Sequence, residues 1–392
     1  MSENYGRTKL ACYVGYVVQA IINNFLPILF IIFKEEYNLD YEKLGRIILI
    51  NFSVQIVADL ASPFLAKKIG YKGSVILCHI LAASGLSLLS FLPNIISNTY
   101  TAIIIPVIIY AFGSGIIEAI VSPLMNLLPT GKKAANMAFL HSFYCWGQAF
   151  TVIVTTVMIS LFGTQKWQLI PLIWASVPAF NCLFFIFVPV VEPNNKKEES
   201  SEKSFYLTRD FWCFVIFMLC AGSSEISMAE WASMFAQKGL GISKVTGDLL
   251  GPCMFAVFMG AGRIIFGIFS GKFSPRKIVI CLDILCIACY LTVGICNIPA
   301  ISVIACALCG FSVSYFWPGT YSIAAARFKN AGTLMFSIYA LCGDIGCSAG
   351  PWLFGIIADA FGLKSGFLLS SVFPGVMLFA ALFLLKEKDC KF

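Results

Sequence analysis

Long apolar runs follow one another along the chain, separated by short polar turns. Twelve are legible, at approximately 10–33, 44–66, 73–92, 99–128, 136–162, 169–190, 209–236, 246–270, 276–296, 299–322, 332–358 and 363–385. Their apolar positions are continuous and lack the period-2 alternation of barrel strands, so the pattern predicts helices. Runs of about 20 residues are long enough to cross a hydrocarbon core. A helix also satisfies its own backbone hydrogen bonds there. The expected fold is therefore an all-α integral membrane protein of twelve transmembrane helices. One charged and polar stretch divides the runs six and six. It predicts an N-terminal half at 1–192, a linker at 193–208 and a C-terminal half at 209–392. The linker has equal numbers of acids and bases and reads as a flexible tether.

Composition agrees with a lipid solvent. Hydrophobic residues make up 59% of the 392 residues and charged residues 12%, about half the charged share of a soluble domain. The first run is too long for a cleavable signal peptide and has no small-residue cleavage site. Lysine and arginine set the orientation. Nineteen of the 27 fall on the side that holds both termini and the linker, seven fall on the other side, and Arg263 lies within a span. Both termini are expected in the cytoplasm, which requires an even number of spans, and the chain is expected in the cytoplasmic (inner) membrane. The net charge of +7 comes from short loops and implies no nucleic-acid partner. The 16 cysteines are scattered. Cys286 with Cys289 and Cys306 with Cys309 have CxxC spacing, but without nearby histidine they read as small apolar filler.

The halves echo each other. The loop after span 2 runs from Lys67 to Lys72 and the loop after span 8 from Gly271 to Lys277. Aligning Lys68 with Lys272 sets Asp59 opposite Arg263 and Pro63 opposite Gly267. The stretch Gly267 to Lys277 resembles the loop motif G-x-x-x-D-[RK]-x-G-[RK]-[RK] of the major facilitator superfamily, with Gly271 in place of the acid. In the first copy Pro63 and Lys67 replace the glycine and the acid. The resemblance implies two pseudo-symmetric six-helix halves that rock about a site near the midplane, and a monomer.

Span 4 carries Gly113, Gly115, Glu118, Ser122 and Pro123. This is similar to the G-x-G-x-x-E-[x]3-N-P signature of the fucose permease-like proton:sugar symporters, with Ser122 replacing asparagine. Span 5, from Asn136 through His141 to Gly147, resembles that family's N-x-x-x-x-[HQ]-x-x-x-x-x-G stretch. Asn23 and Asn24 are similar to its Asn-Asn pair, and Pro27 stands where a second acid is typical. The resemblance implies a proton site at Glu118 and a sugar-like solute.

The chemistry-bearing residues are those that lipid would not tolerate without a reason. Glu118 is roughly 20 Å along its helix from Lys132 at 1.5 Å per residue. An ionised carboxylate at such depth costs at least a few kcal/mol, which protonation, pairing or water relieves. It is the leading proton-coupling candidate, ahead of an acid merely bonded to a neighbouring helix. His141, Tyr144, Gln148, Thr151 and Thr155 recur at three and four residues and share one helical face. His141 is a second proton candidate and Gln148 a solute ligand; the alternative for the stripe is interhelical glue. Tyr16, Gln19 and Asn23 share a face of span 1, and amides both donate and accept as sugar hydroxyls demand.

In span 7, Glu225 lies deeper than Glu230 and is the stronger coupling candidate. Trp231 reads equally as a sugar-stacking ring or an interfacial belt residue. Trp317 and Tyr321 in span 10 are candidate platforms, since the superfamily lines its cavity with spans 1, 4, 7 and 10. Arg263 and Asp283 are expected to form a structural ion pair. Asp59 and Asp344 are gate or structural candidates.

The sequence thus points to a secondary active transporter that moves a monosaccharide or similar polyol with a proton, sodium being the other possible ion. The alternative is a proton-coupled efflux antiporter for hydrophobic compounds. No G-x-x-x-x-G-K-[ST] loop is present, so an ion gradient would supply the energy. With two histidines in all and no nucleophile–base arrangement, no enzyme, metal or cofactor is expected.

Overall fold

A computed structural model describes residues 5–129, 133–192, 207–269, 274–328 and 333–383. Most of the expected linker, 193–206, and positions 270–273 of the second loop motif lie outside the described residues. All regular structure among the described residues is helical. Eleven stretches are long and apolar enough to cross a membrane. One of these, Tyr41–Asn94, has 54 residues, about 80 Å of helix at 1.5 Å per residue, and so crosses twice. It divides at Gly70, where φ is 73°, a left-handed conformation that glycine adopts without a Cβ penalty. Twelve segments long enough to cross a membrane result among the described residues.

In chain order, α1 (Gly6–Ile28) and the short α2 (Phe30–Tyr37) form span 1, and α3 (Tyr41–Phe91) holds spans 2 and 3. Then follow α4 (Thr99–Leu127), α5 (Lys133–Phe162), α6 (Leu169–Phe187) and α7 (Arg209–Met234) as spans 4 to 7. Span 8 consists of α8 (Lys244–Asp248), a π-helical turn and α9 (Met254–Ile268), and span 9 is α10 (Pro275–Ile295). Span 10 is α11 (Pro299–Val313) with α12 (Phe316–Arg327), span 11 is α13 (Thr333–Phe361), and span 12 is α14 (Leu363–Ser370) with α15 (Val372–Phe383). The sequence reads spans 10 and 12 as unbroken. Each is interrupted just before a proline, Pro318 or Pro374, which cannot donate to the carbonyl four residues back.

The chain forms two compact units, Met1–Leu39 with Ile50–Asn195 and Asp40–Leu49 with Lys196–Phe392. In the first, α1 packs chiefly on α5 and also touches α4 and α6; in the second, α7 packs chiefly on α13. These are spans 1 with 5 and 7 with 11, so one pairing recurs in both units. Spans 1 and 7 are also the most enclosed, with 83% and 78% of their apolar windows buried. Small residues permit the closeness of α7 and α13. A Cβ on Gly346 would collide with the carbonyl of Leu219, and one on Gly222 with that of Gly343.

The start of span 2 belongs with the second unit, whereas the sequence places all of span 2 in the N-terminal half. Local bonds explain the difference. The Asp359 carboxylate accepts from the backbone N–H of Tyr41 at 2.9 Å and of Glu42 at 2.6 Å. It thereby satisfies orphan donors at a helix N-terminus. Trp352 Nε1 donates to Glu42 Oε1 at 2.9 Å, and Ser348 Oγ donates to the carbonyl of Leu49 at 3.3 Å. A Cβ on Gly45 would lie 2.9 Å from the carbonyl oxygen of Pro351.

A second echo ties the third helix of each half to the sixth. Lys72 Nζ donates to the carbonyl of Val188 at 3.4 Å. Arg276 donates through Nε to the carbonyl of Ala381 and through Nη2 to that of Leu382, both at 2.9 Å. The alignment that pairs Lys68 with Lys272 also pairs Lys72 with Arg276. At the Gly70 turn the Glu192 carboxylate accepts from the backbone N–H of Tyr71 at 2.8 Å and of Lys72 at 3.1 Å.

Two features of the sequence are absorbed by packing. His79 donates through Nδ1 to the carbonyl of Val75 at 2.6 Å and accepts from Asn181 at its Nε2 at 2.7 Å. The two CxxC pairs meet across α10 and α11, with Cys286 and Cys309 Sγ atoms 3.9 Å apart and all four side chains buried.

Candidate functional site

The first unit gathers a polar network around α1. Tyr16, Gln19 and Asn23 share one face of that helix, as the spacing predicts, and all three are buried. Gln19 Nε2 donates to Glu118 Oε2 at 2.6 Å, which joins span 1 to span 4. The Tyr16 hydroxyl and Ser122 Oγ are 2.5 Å apart. Ser122 is the residue that stands in for the signature asparagine. His141 presents its ring edge-on to Tyr16, with centroids 5.3 Å apart and planes at 85°. Glu118, Ser122 and Tyr144 are only partly covered and His141 is exposed, whereas Tyr16, Gln19 and Asn23 are buried.

Asn23 is the hub. Its Oδ1 accepts from Gln55 Nε2 at 2.9 Å and from Asn51 Nδ2 at 3.2 Å, and its Nδ2 donates to the Tyr144 hydroxyl at 3.4 Å. Ser114 Oγ donates to Gln55 Oε1 at 3.1 Å. Asn24 donates to the carbonyl of Ala20 at 2.9 Å and also reaches Tyr144 at 3.5 Å. Asn51, Gln55 and Ser114 are absent from the sequence-based site. Their signal was available, since Asn51 and Gln55 are amides one helical turn apart inside an apolar span.

Two glycines of the span 4 signature bring the helices together. A Cβ on Gly113 would lie 2.6 Å from the carbonyl oxygen of Cys78. One on Gly115 would lie 2.5 Å from that of Gln55.

The span 5 stripe divides into two parts. Tyr144 joins the network, and Gln148 is buried with its Oε1 unpartnered. Further along, Thr151 donates to the carbonyl of Gly147 at 2.7 Å, and Thr155 accepts from Trp174 Nε1 at 3.0 Å. These two threonines are structural. At the start of the helix, Asn136 Oδ1 accepts from Lys9 Nζ at 3.1 Å.

The second unit departs from expectation at three positions. Arg263 pairs with Glu225, Nη2 to Oε1 at 3.7 Å, and not with Asp283. Asp283 is fully buried, and neither of its carboxyl oxygens has a hydrogen-bond partner. Depth counted from a loop fixes height along a helix but not direction around it, and direction decided the partner. Trp231, read equally as a sugar-stacking ring or an interfacial belt residue, is enclosed: its Nε1 donates to the carbonyl of Pro351 at 3.0 Å, and its ring stacks on Phe354 at 4.8 Å. Both of its functional groups are occupied by protein, so it is a packing residue.

Trp317 and Tyr321 are half-buried on α12. Trp317 lies against Gly343, where a Cβ would strike the indole. Asp344 is buried and Asp59 is partly exposed. Glu118 with Gln19, Tyr16 with Ser122, and the Asn23 hub are thus one cluster in the first unit. The Glu225 and Arg263 pair is a separate feature of the second.

The family model described as Major Facilitator Superfamily matches residues 12–335 and again 253–390. No curated protein matches the chain. Among solved structures, a bacterial homologue of the human lysosomal transporter Spinster, in an inward-facing and occupied conformation, is similar with a TM-score of 0.81 at 12% identity, covering 99% of each chain. A D-xylose-proton symporter is similar with a TM-score of 0.78 at 13% identity, covering 98% of this chain and 99% of its own. A variant of the E. coli fucose:proton symporter has a TM-score of 0.67 at 18% identity, covering 98% and 100%. At these identities the likeness concerns the fold.

Proposed function

The chain belongs to the Major Facilitator Superfamily, and from that premise we propose that it is a secondary active transporter which moves a small polar solute, a monosaccharide or similar polyol, together with a proton. It is a multi-pass membrane protein. The basic-residue bias favours the cytoplasmic membrane with both termini inside.

The observation that carries the reading is Glu118. It is the one acid on span 4, it is held by Gln19 at 2.6 Å, and its side chain is partly open. A carboxyl so placed loads a proton from water and returns it when access changes. Gln19 beside it, and Asn23 and Gln148 in the same unit, supply amide donors and acceptors of the kind that sugar hydroxyls need. In the second unit, considered by itself, Trp317 and Tyr321 offer aromatic faces of the kind that bind the C–H side of a sugar. Two structural neighbours are named as proton symporters of fucose and xylose, which supports the solute class.

The test uses purified protein in liposomes that contain a pH dye, with a panel of monosaccharides including fucose and xylose. We expect sugar-dependent acidification of the lumen in wild type and none in Glu118→Gln. No proton signal from any sugar would refute symport and favour sodium coupling or drug efflux.

A further inference from the structure

Five buried oxygen atoms along α7 make no hydrogen bond: Ser224 Oγ, Glu225 Oε2, Ser227 Oγ and both carboxyl oxygens of Glu230. Glu225 has a compensating charge, since its other oxygen is 3.7 Å from Arg263. Glu230 has none. It is 2% exposed and neither of its oxygens has a partner.

The charged groups on the elements packed against α7 have other partners or lie away from Glu230: Lys364 of α14 donates to the carbonyl of Cys296 at 3.0 Å and to Asn297 Oδ1 at 2.5 Å, and Lys238 is exposed eight residues further along the chain. Lys244 of α8 pairs with Asp248 at 2.8 Å, and Asp248 also accepts from Ser233. Arg327 of α12 pairs with Asp210 at 2.5 Å. Arg263 of α9 pairs with Glu225, and Asp359 of α13 accepts from the backbone of Tyr41 and Glu42. The remaining acid of α13, Asp344, bears the wrong sign to compensate a carboxylate. Tyr290 of α10 donates its hydroxyl to the carbonyl of Ser224 at 2.7 Å.

An ionised carboxylate enclosed without a partner is strongly disfavoured, and a bound proton removes the difficulty. The neutral acid then has one O–H to place. Ser227 precedes Glu230 by three residues and therefore shares its face. It is fully buried and its Oγ is unpartnered. Span 11 closes on this place through glycine, since a Cβ on Gly350 would lie 2.9 Å from Ser227 Oγ. Glu230 and Ser227 are thus a buried carboxyl and a buried hydroxyl on one face of α7, and neither is hydrogen-bonded to a protein group.

We propose that Glu230 is a second proton-binding site. In the conformation described here it is a neutral acid on the same face of α7 as Ser227. Later in the cycle, when that face of α7 is hydrated, its O–H bond breaks, the proton passes to water and the electron pair stays on the carboxylate. The cycle then carries two protons, one on Glu118 and one on Glu230. The coupling role rests on the symport reading above; the bound, exchangeable proton does not.

Infrared spectroscopy of the full-length protein in lipid vesicles tests the site directly. Wild type at neutral pH shows the C=O stretch of protonated carboxyls, and Glu230→Gln loses one component of it. That component shifts in heavy water and disappears reversibly at alkaline pH. Asp283→Asn, which removes the other buried orphan acid, identifies its separate contribution. Should Glu230→Gln fail to fold, Ser227→Ala keeps the acid, removes its neighbour and shifts the same component. A second arm measures protons per sugar with fucose or xylose as the probe, and Glu230→Gln lowers the ratio twofold, from two to one. The proposal is overturned if neither Glu230→Gln nor Ser227→Ala changes the carboxyl band, if the band neither exchanges nor titrates, or if the ratio is unchanged. If no sugar moves protons, the symport reading fails while the infrared result still decides whether Glu230 holds a proton.

Discussion

The side-chain amide of Gln19 donates to the carboxylate of Glu118 at 2.6 Å and so fastens span 1 to span 4 at the one acid of that span. Hydrogen bonds to charged groups contribute roughly 1.5–3 kcal/mol. Gln19→Leu removes the donor and leaves a similar volume. We expect sugar-driven proton uptake to fall at least about tenfold, since about 1.4 kcal/mol corresponds to a factor of ten. The pH-dye assay in liposomes reads this. An unchanged rate would show that the bond does not position the acid.

The pairing of Arg263 with Glu225 has a measurable signature. Arg263→Met leaves Glu225 buried without its countercharge, which costs about 3–5 kcal/mol for such pairs. Glu225→Gln in the same chain should recover most of that loss. Asp283→Asn in the Arg263→Met background should recover nothing. Thermal unfolding of the four proteins in one detergent distinguishes the two partners.

Gly115 lies where span 4 meets span 2. A methyl group there would approach the carbonyl oxygen of Gln55 at 2.5 Å and Ala58 Cβ at 2.7 Å. Gly115→Ala should therefore cost about 1–3 kcal/mol by overpacking and loosen the bond between Ser114 and Gln55. A lower unfolding temperature with reduced sugar uptake is expected. Gly375→Ala, inside α15 where no atom lies within 4 Å of the added carbon, is the control and should not lower the unfolding temperature, since alanine favours a helix over glycine.

Asp359 caps the start of α3 through two backbone N–H groups. Asp359→Ala removes both acceptors, a loss of about 1 kcal/mol by analogy with other N-caps. Deuterium exchange in the peptide spanning 40–49 should then accelerate by roughly fivefold, because local opening free energy sets the exchange rate. Exchange at wild-type rate would mean that Trp352 and Ser348 hold the segment without the cap.

Much of this architecture can be read from residue types alone. Apolar run length located every span, and the three-and-four spacing of Tyr16, Gln19 and Asn23 correctly placed them on one face. Gly113 and Gly115, named in the sequence as part of a family signature, prove to be where neighbouring helices approach closely. Azimuth was harder. Arg263 and Asp283 have similar depth, yet only a packed structure reveals that Arg263 turns toward span 7. Trp231 illustrates the same limit, because a tryptophan at a helix end looks alike whether it meets lipid, solute or Phe354. Asn51 and Gln55 show the same limit, because an amide in lipid requires a partner and residue type does not reveal that both donate to Asn23.

The clasps made by Lys72 and Arg276 bear on synthesis. Each joins the third helix of its half to the backbone at the end of the sixth, so neither can form until that sixth helix has been made. The first is complete once Val188 has left the ribosome. The second waits for Ala381 and Leu382. Vectorial production of the chain therefore lets the N-terminal half latch while the C-terminal half is still unmade, and the nascent polypeptide needs to guard only one unlatched half at a time.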